Sequence, residues 1–218
     1  MSRSEIIVVC AGGHGRVVID ILRRAGHAVA AVVDINPRLH GSTLDGVTVI
    51  GNDDAVFARK TADVMLVNAR GNLPKRGAGG LDGRRQVFER FTARGYKFMQ
   101  VLSRDAVISA AAMLEDSCHV ITGAIIHPGA VIGRDAIINT GARVDHDCRI
   151  GAHSHIAPGV ILCGNVTVGA ECHIGAGAVV TQNITIGPGA LVGAGAVVVD
   201  DVAPGVTVLG SPARAAER

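Results

Sequence analysis

The sequence predicts an α/β unit built on a small parallel sheet over residues 1–102. A coil of very short strands follows over residues 103–210, with a tail at 211–218. Two observations lead there. The first part alternates aliphatic strand-like runs with amphipathic stretches, the grammar of a small parallel α/β sheet of Rossmann-like type. The second part places Ile, Leu or Val at every sixth residue from Ile108 to Val198 without a gap. A period of six fits neither a helix at 3.6 nor a flat strand at two, and it does fit a repeating coil.

In chain order, EIIVVC (5–10) reads as a short buried strand, AGGHG as a turn, and RVVIDILRRAG as an amphipathic helix. AVAAVVD (28–34) is a second strand ending on Asp34, and ADVMLVN (62–68) a further one. Residues 71–83 are glycine-rich and read as a loop, and GRRQVFERFTARG (83–95) as a helix stopped by its last glycine. In the coil, each hexad points one aliphatic side chain inward. Four residues later a small or apolar residue, Ala112, Cys118 or Ala124 for example, fills the corner. Strands would then stack about 4.8 Å apart, and each inward aliphatic would contribute roughly 1.5–3 kcal/mol when fully buried. Cys118, Cys148 and Cys172 fall at the inward small position, which makes them packing residues.

Composition narrows the function. A formal net charge of +2 in 218 residues, with 2% aromatics and no Trp, gives neither an electrostatic footprint nor stacking platforms for nucleic acid. The apolar run 186–199 is interrupted by glycines and a proline and is too short to span a membrane, so a cytoplasmic protein is expected. Five cysteines without a CxxC pair indicate neither a zinc knuckle nor a disulfide framework.

Residues 142–159, ARVDHDCRIGAHSHIAPG, break the apolar rhythm with Asp145, His146 and Asp147, then His153 and His155. At a turn, such a cluster leaves the inward Val144 and Ile150 undisturbed, so the fold tolerates it without needing it. An imidazole with an ordinary pKa of about 6.5 is a natural proton acceptor. A carboxylate beside it would fix its tautomer and stabilise the imidazolium. A solvated turn histidine is the plainer reading of His146. The other coil histidines, His119, His127, His153 and His173, read as surface or edge residues. Near the start, Gly12, Gly13 and His14 form a glycine turn between strand and helix that lacks the full GxGxxG spacing. Such a turn is common for packing alone. A helix N-terminus after it is also a ready anion site for a diphosphate, with Asp34 placed to accept from a ribose or base.

The hexads, AGGHGRVVIDIL, INTGARVDHDCRIGAHSHIAPG and the closing VLGSPAR (208–214) resemble one family. It is the hexapeptide-repeat sugar-nucleotide acetyltransferases, which include bacillosamine-pathway and perosamine N-acetyltransferases and sialic acid O-acetyltransferases. The resemblance implies a left-handed parallel β-helix with three hexads per coil, and an N-terminal domain that binds the nucleotide sugar. It also implies acetyl-CoA as co-substrate, no metal, and a homotrimer with active sites at subunit interfaces. The family's catalytic base falls on His146 and its acidic partner on Asp147. Substrate or cofactor contacts fall on Asn139 and His155, and His155 is equally open to a packing role.

With three hexads per coil, residues eighteen apart share a column, so Gly164 lies one coil above His146. Its backbone N–H is then placed to hold the thioester oxygen as charge develops. His155, half a coil from His146, should face the opposite side of the prism, so the two can share a site only across a subunit boundary. The expected activity is acetyl transfer to the amine of a UDP- or GDP-linked 4-amino-4,6-dideoxyhexose in glycan biosynthesis. An O-acetyltransferase acting on a sialic-acid-like sugar stays open as the alternative. A zinc-dependent β-helix enzyme is disfavoured, because no two histidines stand five residues apart.

Overall fold

The computed structural model describes residues 4–71 and 81–216. The glycine-rich stretch read as a loop at 71–83 lies mostly outside the described residues. The α/β part runs β1 (Glu5–Val9), α1 (Gly13–Arg24), β2 (Val29–Val33), a hairpin of β3 (Thr43–Leu44) and β4 (Val47–Thr48), α2 (Asp54–Phe57), β5 (Val64–Asn68) and α3 (Gly83–Thr92). Its three-stranded sheet has the order β2-β1-β5, all parallel. β1 is central, and the chain leaves it first to one side and later to the other. The carboxyl ends of the strands therefore open at the point where the connections diverge, the usual ligand crevice of such sheets.

From β6 (Val101–Leu102) the chain winds into a parallel β-solenoid. Two-residue strands recur every six residues from β7 (Val107–Ile108) to β22 (Val197–Val198). Up to Val179–Val180, each pairs in register with the strand eighteen residues on, as Ile126 does with Val144 and Ile138 with Ile156. Three flat sheets of six, five and eight strands make the walls of the prism. The inward aliphatics are buried, and only Ile108 and Leu114, in the first coil, are half-buried because no coil covers that end. Cys118, Cys148 and Cys172 are fully buried among them. Burial raises the Cys118 thiol to about 12 and the Cys148 thiol to about 11, so neither supplies a thiolate at neutral pH.

The corner of each hexad is a left-handed turn. Every sixth residue from Ser117 to Gly195 has a positive φ, and half of these residues are glycine. Most L-residues strain there, and glycine, Asn and Asp adopt the conformation most readily. Asp135 (φ 55°) and Asp147 (φ 60°) occupy two such corners, so turn geometry and chemistry are met by one residue type.

The α/β part packs on the eight-stranded wall. α1 and β1 share a buried cluster with Val101, Ile121 and Ile137 of the solenoid. This contact corrects the expectation for three histidines. His119, His153 and His173 are buried, not surface residues, while His127 is exposed as expected. His119 and His173 lie on the outward column Val101, His119, Ile137, His155, His173, Leu191 of the wall that the α/β part covers.

A buried polar cluster pins the same junction. The Arg84 guanidinium from α3 pairs with the Asp135 carboxylate at 2.8 Å, with both side chains at 0% exposure. Arg84 also donates to the carbonyl oxygens of Asp135, Asn68 and Arg70 at 2.6, 2.7 and 2.8 Å. Asn68 and His153 complete the shell around Asp135 at 2.9 and 3.0 Å. Burial pulls the pKa of Arg84 down while Asp135 opposes the shift. Among the described residues, no helix is long and apolar enough to cross a membrane.

Candidate active site

Two groups of candidate residues lie on different walls of the prism. The first is the Asp-His-Asp turn after Arg143–Val144, on the six-stranded wall. The left-handed backbone at Asp147 turns its carboxylate back onto the preceding residue, and Oδ2 sits 2.9 Å from His146 Nδ1. On the other side, His146 N–H donates to Asp145 Oδ1 at 2.7 Å. The imidazole and the Asp147 carboxylate are 61% and 65% exposed, so neither supports the core. The hydrogen bond that His146 donates to Asp147, more than the charges of Asp145 and Asp147, raises the pKa of His146 above its usual 6.5.

With Nδ1 held by Asp147, Nε2 is the nitrogen left for proton transfer, and it faces Gly164 one coil above. A Cβ placed on Gly164 would stand 2.5 Å from Nε2, so only glycine accommodates the ring. The Gly164 carbonyl accepts from Asn183 at 3.1 Å. Among the described residues its own N–H donates to no backbone carbonyl.

The second feature is a cleft of about 720 Å³ between the α/β part and the solenoid. Gly12, Gly13 and His14 line it from the turn at the start of α1, with Asp34 from the end of β2. Asn139 and His155 line it from the eight-stranded wall, and Asn139 Nδ2 lies 3.0 Å from His155 Nε2. A Cβ at Gly12 or Gly13 meets nothing within 4 Å, so packing does not demand glycine there. The glycine that packing does demand is Gly15, where a Cβ would stand 2.8 Å from the Cys10 carbonyl, under α1. Asp34 accepts from Ala11 N–H at 2.7 Å and Asn36 N–H at 2.8 Å. It therefore clasps the ends of two loops and keeps one lone pair on each oxygen for a ligand.

The structure thus brings Gly12, Gly13, His14, Asp34, Asn139 and His155 together, and sets His146, Asp147 and Gly164 apart from them within one chain. Sequence reasoning missed Arg70, which lines the cleft, and the stacked pair His14–His119 behind it, with ring centres 5.4 Å apart. One signal was legible. The outward column of the eight-stranded wall carries histidines at His119, His155 and His173, and the outward columns of the other two walls carry none, although the six-stranded one is equally aliphatic. Among the described residues, no group of three or more His, Cys, Asp or Glu is placed to hold a metal ion.

Residues 5–78 match the PglD N-terminal domain. Residues 129–164 and 147–182 match the bacterial transferase hexapeptide (six repeats), and 166–200 the hexapeptide repeat of succinyl-transferase. No match was found among the curated proteins. Among solved structures, the acetyltransferase domain of PglB from Neisseria gonorrhoeae FA1090, in complex with acetyl coenzyme A, is 35% identical. The match covers 98% of this chain and 100% of that one, with a TM-score of 0.88. PerB from Caulobacter crescentus, in complex with CoA and GDP-perosamine, is 36% identical over 98% of both chains, with a TM-score of 0.89. WeeI from Acinetobacter baumannii AYE is 28% identical over 98% of this chain and 100% of its own, with a TM-score of 0.77. Identity above a third along nearly the whole chain, on the same two-part fold, places this protein in the hexapeptide-repeat sugar acetyltransferase family with a PglD-type N-terminal domain, and makes it an acetyltransferase.

Proposed function

We propose that this protein transfers the acetyl group of acetyl-CoA to the amine of a nucleotide-linked 4-amino-4,6-dideoxyhexose, with a UDP or GDP carrier. His146 acts as the general base. The observation that carries this reading is the exposed His146–Asp147 pair, with Nε2 aimed at the one glycine that leaves it room. The relatives bound to acetyl-CoA and to GDP-perosamine support the choice of substrates.

The neutral amine attacks the thioester carbon, forming the C–N bond and moving charge onto the carbonyl oxygen. The Gly164 N–H donates to that oxygen in the tetrahedral intermediate. Nε2 of His146 takes the proton that the nitrogen must lose, and Asp147 steadies the imidazolium through Nδ1. The C–S bond then breaks, and coenzyme A leaves as its thiolate.

The diphosphate sits at the N-terminus of α1, where Gly12 and Gly13 leave open space and the helix dipole favours an anion. Asn139 and His155 face the ligand from the solenoid, and Asp34 meets its ribose or base. Because the dyad and the cleft lie on different walls, a complete site forms between neighbouring subunits of a cyclic homotrimer. Residues 1–102 hold the nucleotide sugar and 103–210 the acetyl donor, in the cytoplasm where both substrates are available.

Incubation with acetyl-CoA and a panel of UDP- and GDP-linked amino sugars tests this directly. Release of free thiol with gain of one acetyl group by a nucleotide amino sugar is the expected result. Turnover of sialic-acid-like hydroxyl acceptors alone would overturn it.

A further inference from the structure

His119 has no place in that mechanism, yet it is a fully buried histidine at the back of the cleft, and its Nε2 has no hydrogen-bond partner among the described residues. Its other nitrogen, Nδ1, lies 3.2 Å from Nε2 of His14, with the two rings stacked 22° from parallel. Both rings are neutral. Burial first, and then the nearby Arg84 charge, bring the His14 pKa down to about 3 and hold His119 well below the usual value.

Two neutral imidazoles at that distance share one proton along the contact, and only two arrangements exist. If His14 donates from Nε2, His119 must carry its proton on its own Nε2, leaving a buried N–H with nothing to accept it. If His119 donates from Nδ1, the atom left unpartnered is a bare ring nitrogen. Orphaned buried N–H donors are the rarer and costlier state. We infer that His119 is a positioning residue: it donates from Nδ1 to His14 Nε2 and so locks His14 as the Nδ1–H tautomer. Free imidazole side chains prefer the opposite tautomer, so the buried contact sets a choice the isolated residue would not make.

The consequence falls on recognition. His14 lines the cleft on the first turn of α1. With Nε2 occupied, the group it has left to offer is an N–H donor. It therefore selects an acceptor on the substrate, a phosphate or sugar oxygen, and disfavours a ligand that places a donor there. This use of the locked donor rests on the proposed function; the tautomer itself does not.

Ring-nitrogen NMR of histidine-labelled protein reads the tautomer directly, with His14 assigned through His14→Asn. The expected spectrum has a protonated Nδ1 and a bare Nε2 on His14. In His119→Phe the proton should move to Nε2, and the KM for the nucleotide sugar should rise about tenfold, the upper worth of one neutral hydrogen bond. The KM for acetyl-CoA should not move. His119→Asn keeps an N–H near the lost Nδ1–H and should restore both tautomer and KM, which a merely space-filling role would not predict. A protonated Nε2 in the unaltered protein, or an unchanged tautomer in His119→Phe, overturns the inference. If His119→Phe fails to fold, the unaltered and His119→Asn spectra decide alone. A protonated Nδ1 in a protein with no affinity for any nucleotide sugar would uphold the lock and remove the proposed function.

Discussion

An imidazole held 2.9 Å from a carboxylate and left open to solvent behaves differently from one buried in a core. His146→Ala should keep the fold, because the side chain packs against nothing the prism needs. It should lower kcat by about 10²–10⁴, the usual worth of a general base. Steady-state kinetics beside a thermal melt separates the two effects, and near-normal kcat would remove His146 from the mechanism. Asp147 acts on the same proton. It raises the His146 pKa, so activity should fall as pH drops through that raised value. Asp147→Asn removes the largest cause of the shift, so the acid limb of kcat/KM should move to lower pH. The plateau should fall at the same time, since the base is weaker and its tautomer less fixed. An acid limb that stays in place would dissociate Asp147 from the titration.

Among the elements, the turn between β1 and α1 shows how packing and binding divide neighbouring glycines. Gly15 is required by the approach of α1 to Cys10, whereas Gly13 faces open space in the cleft. Gly13→Val should therefore fold normally and raise the KM for the nucleotide sugar, leaving that for acetyl-CoA unchanged. Equal effects on both substrates would assign the turn to packing. α3 supplies a different lesson. Arg84→Leu leaves Asp135 buried without its partner, which should cost about 3–5 kcal/mol in denaturation experiments. Adding Asp135→Asn removes the stranded charge and should recover part of the loss. An Arg84→Leu protein as stable as the parent would mean the pair is worth no more than its surroundings.

For the whole molecule, the separation of dyad and cleft becomes a statement about assembly. His155 faces the cleft of its own chain while His146 stands on another wall. Each site is proposed to take His146 from one subunit and His155 from its neighbour. His146→Ala and His155→Ala proteins, each impaired alone, should regain part of their activity when mixed and allowed to re-form trimers. Some interfaces would then carry both native histidines. Demonstrated subunit exchange without any recovery would remove the shared site.

The six-residue column from Ile108 to Val198 was legible in the sequence because each inward position sees only one environment, the prism interior, whichever coil it belongs to. The Asp-His-Asp turn was legible because it breaks that column's surroundings without breaking the column. In the first part β1, β2, β5, α1 and α3 were legible through their periods, although α1 begins three residues earlier than its apolar pattern, at Gly13, whereas the short β3–β4 hairpin and α2 were not read. Outward positions were another matter. Whether His119 or His173 meets solvent or another wall of protein depends on where the α/β part docks, which no local pattern encodes. The same docking brings Arg84 to Asp135 across 51 residues and His14 to His119 across 105. Sequence by itself determined the repeat, the inward core and the exposed Asp-His-Asp turn. Only the tertiary structure decided which polar groups lose their water together, because desolvation depends on what covers a residue and not on its neighbours along the chain.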